Sequence, residues 1–428
     1  MRQRIGTAFQ SLQVRNYRLF ATGQLIKLIG MWILFTAQDW LVLELTHNSA
    51  TALGTVTALQ FSPVLLLTLY GGALADRYDK RKMLLATNVA MSVLVAIQAV
   101  LVVTGTVRLW HVFVFALLLG AQGAMETPTR QAFISELVPG PLLPNALGLS
   151  SATFNASRII GPAIAGLLIA QFDLGPTFLA SIALAVAPMV TLRLMRSADL
   201  YREERVAGAP RTPSKLTDGL RYVAKRPDLM LPIGLIAALG LIAFNFQVTL
   251  ATLAKAAFHT GAGSFGLLTT ALASGALIGA LAGSSRRRRP SIYVVLGAGM
   301  AFGVLETAVG FAPTFASAAI LLVPTGFFMI LFAQAANQRV QMGTDQAVRG
   351  RVMALYVLVF LGTTPIGAPL VGWIAEHESP GAAIWVGGVC AIAVCTVGLV
   401  WKLQRTGERL RINWLPVPRF SVTSDPTL

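Results

Sequence analysis

The sequence predicts an all-α membrane protein in which twelve transmembrane helices form two parallel repeats of six. The 428-residue chain is 55% hydrophobic and only 12% charged, with a mean hydropathy of +0.68. A soluble domain carries about 25% charged residues, and this much apolar surface would leave large patches exposed. Stretches of about 20 apolar residues, each long enough to cross a bilayer as a helix, recur along the chain. These observations exclude a soluble enzyme, a single-span receptor and a β-barrel.

The apolar stretches place the spans in order along the chain. In the first half we expect spans over residues 18–44, 51–75, 84–104, 109–134, 143–170 and 175–195. In the second half we expect them over residues 229–254, 263–284, 290–311, 314–338, 350–375 and 381–402. The domains are then a six-helix bundle (1–196), a polar cytoplasmic linker (197–227), a second six-helix bundle (228–404) and a cytoplasmic tail (405–428).

The linker and the tail differ in their patterns. Leu216, Leu220 and Val223 recur at i, i+4 and i+7 between basic residues, which predicts a short amphipathic helix at the membrane surface. The tail contains prolines and no apolar run, so we expect it to lack regular structure.

Basic residues set the orientation. Most of the 34 Lys and Arg residues fall in the N-terminal arm, the linker, the tail and the loops that alternate with almost uncharged ones. The positive-inside rule then places both termini in the cytoplasm, which requires an even number of spans. The net charge of +16 orients the helices and contacts anionic headgroups, and it does not predict a nucleic-acid partner. Arg greatly outnumbers Lys, which fits a GC-rich bacterial genome, and we expect a multi-pass protein of the bacterial cytoplasmic (inner) membrane.

An internal repeat supports two six-helix halves. The segment Gly-Ala-Leu-Ala that begins at Gly72 recurs at Gly279, and in each case basic residues follow. The Ile-Gly segment with a nearby proline at Gly161 recurs at Gly367, with almost the same spacing. Two matches at one spacing indicate halves of the same orientation, a parallel repeat found in a large class of transporters.

The loop between spans two and three carries a family resemblance. Its sequence, GALADRYDKR from Gly72 to Arg81, resembles the loop signature of the major facilitator superfamily, except that Asp79 replaces a glycine and Lys80 an arginine. The segments AQDWLVLELT, ETPTRQAFISELV, LRYVAKRPDL and RGRVMALYVLV resemble the branch that contains the enterobactin exporter and drug efflux proteins. The resemblance implies the major facilitator fold and transport by alternating access.

The same resemblance implies a conformational latch in this loop. Asp76 would contact the start of span eleven when the transporter is open outward, and the implied latch residues are Gly72, Asp76, Arg77, Lys80, Arg81 and Arg351. On physical grounds, a carboxylate at a membrane exit can face the positive N-terminus of another helix. The loop can equally be a charged turn that only follows the positive-inside rule.

A second resemblance lies in span five. Gly161, Pro162 and Gly166 resemble the antiporter motif of the superfamily, which implies exchange of substrate for protons. Physically, Pro162 removes a backbone donor, and the glycines allow close contact with span eight. We favour a structural role in closing the cavity, with antiport as the implied consequence.

Charges within the spans should line a cavity or find a partner, because a charge in the hydrocarbon costs at least about 2.5–3.5 kcal/mol. Lys27 and Glu126 lie at similar depth, so an ion pair is plausible, with Arg158 as a further partner that would keep Glu126 ionised. Asp39 has no cation at its depth, and its carboxyl can therefore take up and release a proton. We rank Asp39 first as the proton-coupling site and Glu126 as the substrate or gating site. Structural pairs or snorkelling side chains remain the alternative.

The predicted substrate cavity combines these charges with aromatic and amide side chains. The resemblance implies that spans one, four, seven and ten line a central cavity, and aromatic rings there would suit an amphipathic substrate. Such rings are equally ordinary packing or lipid-facing residues. The candidates are Lys27, Trp32, Phe35, Gln122, Arg130, Asn155, Arg158, Phe244, Phe328, Gln334 and Asn337.

The sequence lacks the motifs expected of ATP-driven transport, enzymatic catalysis or metal binding. The sequence contains no G-x-x-x-x-G-K-[ST] loop for ATP and no catalytic motif, and its four histidines lack metal-ligand spacing. Cys390 and Cys395 stand five residues apart on one predicted helix, so we expect free thiols. We therefore expect no enzyme, cofactor or metal, but a monomeric secondary exporter of amphipathic drugs or a siderophore, driven by protons. The alternatives are a non-transporting sensor or scaffold on the same fold, or proton-coupled nutrient uptake.

Overall fold

The computed structural model of the protein describes residues 9–201, 216–284, 288–346, 348–406, 408–413 and 419–424. Within these ranges, twelve helical segments are long and apolar enough to cross a membrane, which confirms the predicted number. Spans one to six are Arg15–Leu45, Ala50–Arg77, Lys80–Val103, Leu109–Leu137, Leu143–Phe172 and Leu174–Leu194. Spans eight, nine, ten and twelve are Ala262–Ser284, Ile292–Gly310, Phe315–Gly343 and Pro380–Thr406. The predicted bounds are correct to within a few residues.

Span seven is interrupted near its middle, which the hydropathy pattern did not predict. It consists of Pro227–Ile242 and Phe246–Thr252, followed by a π-helical turn, Leu253–Ala257. Asn245 lies at the break with φ −91° and ψ 40°, and its amide nitrogen donates to the carbonyl oxygens of Leu241 and Ile242 at 3.0 and 3.3 Å. The side chain thus satisfies acceptors that the break leaves without backbone donors.

Span eleven is also divided, into Arg349–Gly362 and Thr364–His377. Pro365 follows the break, and because proline has no N–H, one hydrogen bond of a continuous helix is lost there. The Thr363 hydroxyl donates to the carbonyl oxygen of Phe360 at 3.2 Å. Both interrupted helices belong to the second half.

Short polar residues begin several spans. The Ser49 hydroxyl accepts the Ala52 N–H at 3.1 Å before span two, and the Asp79 carboxylate accepts the Lys82 N–H at 3.0 Å before span three. These caps satisfy N–H groups that a helix leaves unbonded at its first turn. They also explain why loops as short as Tyr78–Asp79 suffice between antiparallel spans.

The two halves pack along two pairs of helices. Span five packs against span eight, and span two against span eleven. Gly166 lies against Gly263 and Gly266, and Gly54 lies against the backbone at Ala368, so side chains at these glycines would collide with the neighbouring helix. Small residues let membrane helices approach closely, where dispersion contacts stabilise the pair.

Both the linker and the tail contain regular secondary structure, which was predicted for the linker only. A helix over Leu216–Ala224 forms where the linker was expected to be amphipathic, and Gly219 packs against the backbone of Arg351 in span eleven. The expectation of an irregular tail was wrong, because Glu408–Asn413 and Arg419–Ser424 pair as an antiparallel hairpin. Cys390 and Cys395 are free thiols, as predicted.

A candidate cavity between the two halves

A cavity of about 160 Å³ lies between spans one and five of the first half and spans seven, eight and ten of the second. One wall is aromatic, because Trp32 contacts Phe35 and Phe154 edge-to-face with ring centroids 6.0 and 5.9 Å apart. The lining residues are Trp32, Phe35, Thr36, Asp39, Arg158, Pro162, Phe244, Phe246, Gln247, Leu250, Phe265, Thr269, Leu272 and Met329. Apolar walls with a few convergent polar groups are typical of small-molecule sites.

Asp39 is a carboxyl group of this cavity and is bonded across the two halves. The residue is 2% exposed, and its Oδ1 accepts a hydrogen bond from the Gln247 amide nitrogen at 3.1 Å. Among the described residues it forms no ion pair. Gln247 lies in the first turn of the helix after the break in span seven, so this bond ties span one to the second segment of that interrupted span.

Glu126 belongs to a buried charge cluster instead. Lys27 Nζ lies 3.1 Å from Glu126 Oε1, and Arg130 Nε lies 3.2 Å from the same oxygen. The side chain of Lys27 is 3% exposed, that of Arg130 12% and that of Glu126 9%. The predicted Lys27–Glu126 pair is confirmed. The second partner was predicted wrongly as Arg158, because Arg130 stands one helical turn from Glu126 on the same face of span four.

Arg158 lines the cavity that contains Asp39. It forms no ion pair and no hydrogen bond through its side chain among the described residues. Its guanidinium group is thus available to a bound molecule. The cavity consequently offers one carboxyl group, one guanidinium group and an aromatic wall.

Contacts close the cavity at the end of the bundle opposite to the chain termini. Lys255 of span seven lies 3.9 Å from Glu44 and 4.5 Å from the ring centre of Trp40 in span one. Trp40 also stacks on Phe265 of span eight, with centroids 6.4 Å apart.

Beside this contact, Glu376 of span eleven joins the start of span two. Its Oε2 accepts hydrogen bonds from the Ser49 hydroxyl at 2.7 Å and from the Thr51 N–H at 2.8 Å. Hydrogen bonds, an ion pair and stacked rings therefore hold the two halves together at this end.

Several predicted cavity residues do not line this cavity. The Gln122 amide donates to the Thr87 carbonyl of span three at 3.2 Å, and Lys27 is only 2% exposed. Phe328 packs on Phe327 at 5.1 Å between centroids. The place of such residues relative to a cavity depends on helical phase, which cannot be obtained from the sequence of a uniformly apolar segment.

Four more candidates lie outside this cavity. Gln334 points to Gly283 of span eight, and Asn337 lies beside the Tyr356 hydroxyl of span eleven. Arg130 and Asn155 line a separate cavity of about 420 Å³ between spans four and five. The two polar groups of span ten thus serve contacts between helices.

Sequence reasoning missed Gln247, Thr36, Thr269 and Met329. Gln247 had a usable signal, since it is an amide within an otherwise apolar span and follows Asn245 by two residues. Thr36 and Thr269 gave none, because their hydroxyls can bond to backbone carbonyls of their own helices, as Thr36 does to Trp32 at 2.9 Å.

Residues of the loop between spans two and three bond within the first half. Lys80 pairs with Glu136 at 2.5 Å, and Arg81 donates to the carbonyl oxygens of Leu192 and Met195 at 2.7 and 3.1 Å. Both basic side chains therefore have partners within the first half. The Asp76 side chain lies outside the described residues, so its contact near Arg351 stays a prediction.

Glycines of spans two and five contact neighbouring helices. Gly71 packs against span four at the backbone of Ala124, while the space beside Gly72 is open. In span five, Gly166 contacts span eight as predicted, but Gly161 contacts span one at Trp32. Gly161 thereby supports the aromatic wall of the cavity.

We expect Asp76→Asn to slow transport while leaving expression near normal. The substitution removes a charge that would face a helix N-terminus, a contact worth about 0.3–1 kcal/mol and about 2 kcal/mol when partly buried. Initial transport rates in vesicles measure the effect. Asp79→Asn is the matched control, because asparagine still caps span three. Wild-type rates in Asp76→Asn would mean that the loop only determines topology.

The arrangement of the helices and the cavity defines the class of this protein. Twelve spans in two halves, with a largely apolar cavity that carries a few polar groups between the halves and closing contacts at one end, are the architecture of a secondary membrane transporter. Residues 6–424 match the family described as transmembrane secretion effector. The chain belongs to this family of the major facilitator superfamily, as the loop signature predicted.

Relatives with assigned roles cover much of the chain. It is 30% identical over 266 residues to the staphyloferrin A transporter of Staphylococcus aureus, spanning 62% of this chain and 66% of that protein. It is 26% identical to the multidrug efflux pump Tap of Mycolicibacterium fortuitum over 81% and 86% of the two chains. It is 23% identical to the enterobactin exporter EntS of Citrobacter koseri over 94% of both. These relatives confirm the predicted efflux-type branch.

A solved structure supports the fold. The crystal structure of a point mutant of the nucleoside transporter NupG superposes with a TM-score of 0.70 over 90% of this chain and 99% of that one. The sequences are 12% identical, so this likeness concerns the fold alone.

Proposed function

We propose that the protein is a secondary exporter of amphipathic small molecules that exchanges them for protons by alternating access. The observation that carries the proposal is the position of Asp39, a carboxyl group that lies in the cavity between the halves without an ion-pair partner among the described residues. An acid in such a place can be protonated in one conformation and ionised in another, as proton coupling requires. The drug and siderophore roles of the relatives support the substrate class.

The cavity chemistry suits such a substrate. Trp32 and Phe244 offer aromatic faces, while Asp39 and Arg158 offer one charge of each sign. Hydrogen bonding and charge would orient the polar part of the molecule, and the rings would bind its apolar part. In this proposal the buried cluster of Lys27, Glu126 and Arg130 stabilises the packing of spans one and four. The protein acts as a monomer, because one chain contains the whole transport route.

The positive-inside rule orients this proposal in the membrane. With the termini in the cytoplasm, the contacts of Lys255 with Glu44 and of Glu376 with Ser49 would close the outer end, so the cavity would be shut toward the outside. A substrate would then enter from the cytoplasm, and breaking these contacts would open the outer face. Proton uptake at Asp39 would follow from the outside.

Transport in vesicles tests the proposal directly. Purified protein is reconstituted in proteoliposomes with a pH indicator inside, and ethidium, erythromycin or enterobactin is supplied on the side of the termini. We expect substrate movement to be accompanied by proton movement in the opposite direction, and an imposed pH gradient to drive accumulation. Movement of both in one direction would favour uptake, and no movement of any compound would favour a scaffold.

Topology gives a separate prediction. In a background in which Cys390 and Cys395 are replaced by alanine, a cysteine at Thr106 should react with an impermeant thiol reagent added outside intact cells. A cysteine at Gln404 should react only after the cells are permeabilised. Both positions are exposed, so accessibility within the protein is matched. The reverse pattern would invert the membrane orientation and place the closed end on the cytoplasmic side.

A further inference from the structure

A third cavity, separate from the one between the halves and from the one between spans four and five, lies on the side of the second half where the chain termini are. Its volume is about 380 Å³, and it is formed by the ends of spans seven, nine, ten and twelve. Span seven begins at Pro227, span nine begins at Ile292, and span twelve ends at Thr406, so the cavity lies at the level where these helices leave the membrane. We call it the basic pocket, for its cationic residues Arg339, Lys402 and Arg405.

The charge of the basic pocket is positive on balance. Its lining contains three cationic side chains and one carboxylate, Asp228. Both oxygens of Asp228 are already bonded, to Arg226 at 3.0 and 3.2 Å and to Arg289 at 2.9 Å. The hydrogen bond to Asp228 raises the pKa of Arg226, so that guanidinium group stays charged. Asp228 is therefore neutralised by two arginines that lie outside the pocket lining.

Arg339 has donor capacity to spare. One terminal nitrogen donates to the Pro290 carbonyl at 2.8 Å, which holds the side chain in place at the pocket. Its Nε is buried and has no hydrogen-bond partner among the described residues. A buried donor without a partner is costly, and an anionic oxygen in the pocket would satisfy it.

The remaining walls have the chemistry of a bilayer interface. Trp401 lines the pocket, and the Arg405 guanidinium lies 5.4 Å from its ring centre. Leu231 and Ile292 give the pocket an apolar floor. Toward the membrane interior, Val397 and Val400 of span twelve are 68% and 45% exposed, so the pocket continues into an apolar surface. Tryptophan beside basic residues is typical of the headgroup level of membrane proteins.

We propose that the basic pocket binds an anionic phospholipid, with the lipid phosphate bound by Arg339, Lys402 and Arg405. A phosphodiester matches both the fork of an arginine and the point charge of a lysine. A free phosphate ion shares this chemistry, but the apolar floor and the exposed valines provide for acyl chains that such an ion lacks. Basic pockets between helices at the cytoplasmic side bind lipid headgroups in this way. A bound lipid would connect spans seven, nine, ten and twelve at one end of the second half.

The test compares lipids that differ only in headgroup. Phosphatidylglycerol and phosphatidylcholine with the same acyl chains are titrated into the purified full-length protein in detergent, and bound lipid is counted by native mass spectrometry. We expect preferential binding of phosphatidylglycerol, and about 30-fold weaker binding in Lys402→Gln/Arg405→Gln, since each basic residue near the surface contributes about a factor of five or more. Added salt should weaken binding to the unmodified protein, which tests the charge without a substitution.

Controls separate the site from general charge. Lys82→Gln/Arg193→Gln removes two exposed cations at the corresponding end of the first half and should keep the wild-type affinity. Equal binding of the two lipids, or full affinity in Lys402→Gln/Arg405→Gln, would overturn the proposal. Displacement of phosphatidylglycerol by millimolar inorganic phosphate would reassign the pocket to free phosphate. None of these outcomes depends on transport.

Discussion

The Asp39→Asn variant should lose uphill, pH-driven transport and keep downhill exchange of substrate. Asparagine preserves the shape of the side chain and can still bond to Gln247, which lies 3.1 Å away. It cannot bind and release a proton, so the pH gradient no longer drives the conformational cycle. The accumulation ratio in proteoliposomes should fall to about one, whereas counterflow of labelled substrate should continue.

The matched control is Glu306→Gln. Glu306 is as buried as Asp39, each being 2% exposed, but it lies outside the lining of the cavity, close to Gly387 and the break in span seven. We expect this variant to retain uphill transport. The reverse result, coupling lost in Glu306→Gln and kept in Asp39→Asn, would move the proton site to span nine. Coupling kept in both would leave Glu126 as the next candidate.

The Glu126→Gln variant should fail mainly in stability. The Glu126 carboxylate lies 3.1 Å from Lys27 and 3.2 Å from Arg130. Loss of its negative charge leaves two cations close together in a buried site. Removing one member of a buried ion pair typically costs about 3–5 kcal/mol. The yield of monodisperse protein and its Tm in detergent should both fall sharply.

A compensating substitution tests this explanation. Lys27→Met in the Glu126→Gln background removes one of the two uncompensated cations, so it should recover much of the lost Tm. The recovery is a coupling energy of the kind that a double-mutant cycle measures. A wild-type Tm in Glu126→Gln, together with weaker binding of cationic substrates, would restore the sequence-based assignment of Glu126 as a substrate or gating residue.

The family and the fold were predictable because their signals are local. Each span is a continuous run of apolar residues, and the loop that begins at Gly72 keeps its signature in ten consecutive residues. The linker helix followed from Leu216, Leu220 and Val223 for the same reason. The break at Asn245 was not predicted, since the whole segment stays apolar enough for one span and an interrupted helix needs neighbours that satisfy its backbone.

The candidate site was predictable only in part. Trp32, Asp39 and Arg158 were expected near a cavity and do line one, because charged and aromatic residues are conspicuous in apolar spans. Gln334 and Asn337 were equally conspicuous and face other helices. Nothing in the sequence distinguished the two sets, since a segment that is apolar on all sides carries no phase signal.

By itself, the sequence determined how many helices are long and apolar enough to cross the membrane and which superfamily the chain belongs to, because hydrophobic length and short motifs need no partner. Only the tertiary structure decided which polar groups meet. It paired Glu126 with Arg130 instead of Arg158, brought Gln247 of span seven to Asp39 of span one, and joined Lys255 to Glu44. Such pairings depend on the rotation of each helix about its axis and on its depth, and these are fixed by packing between helices distant in sequence.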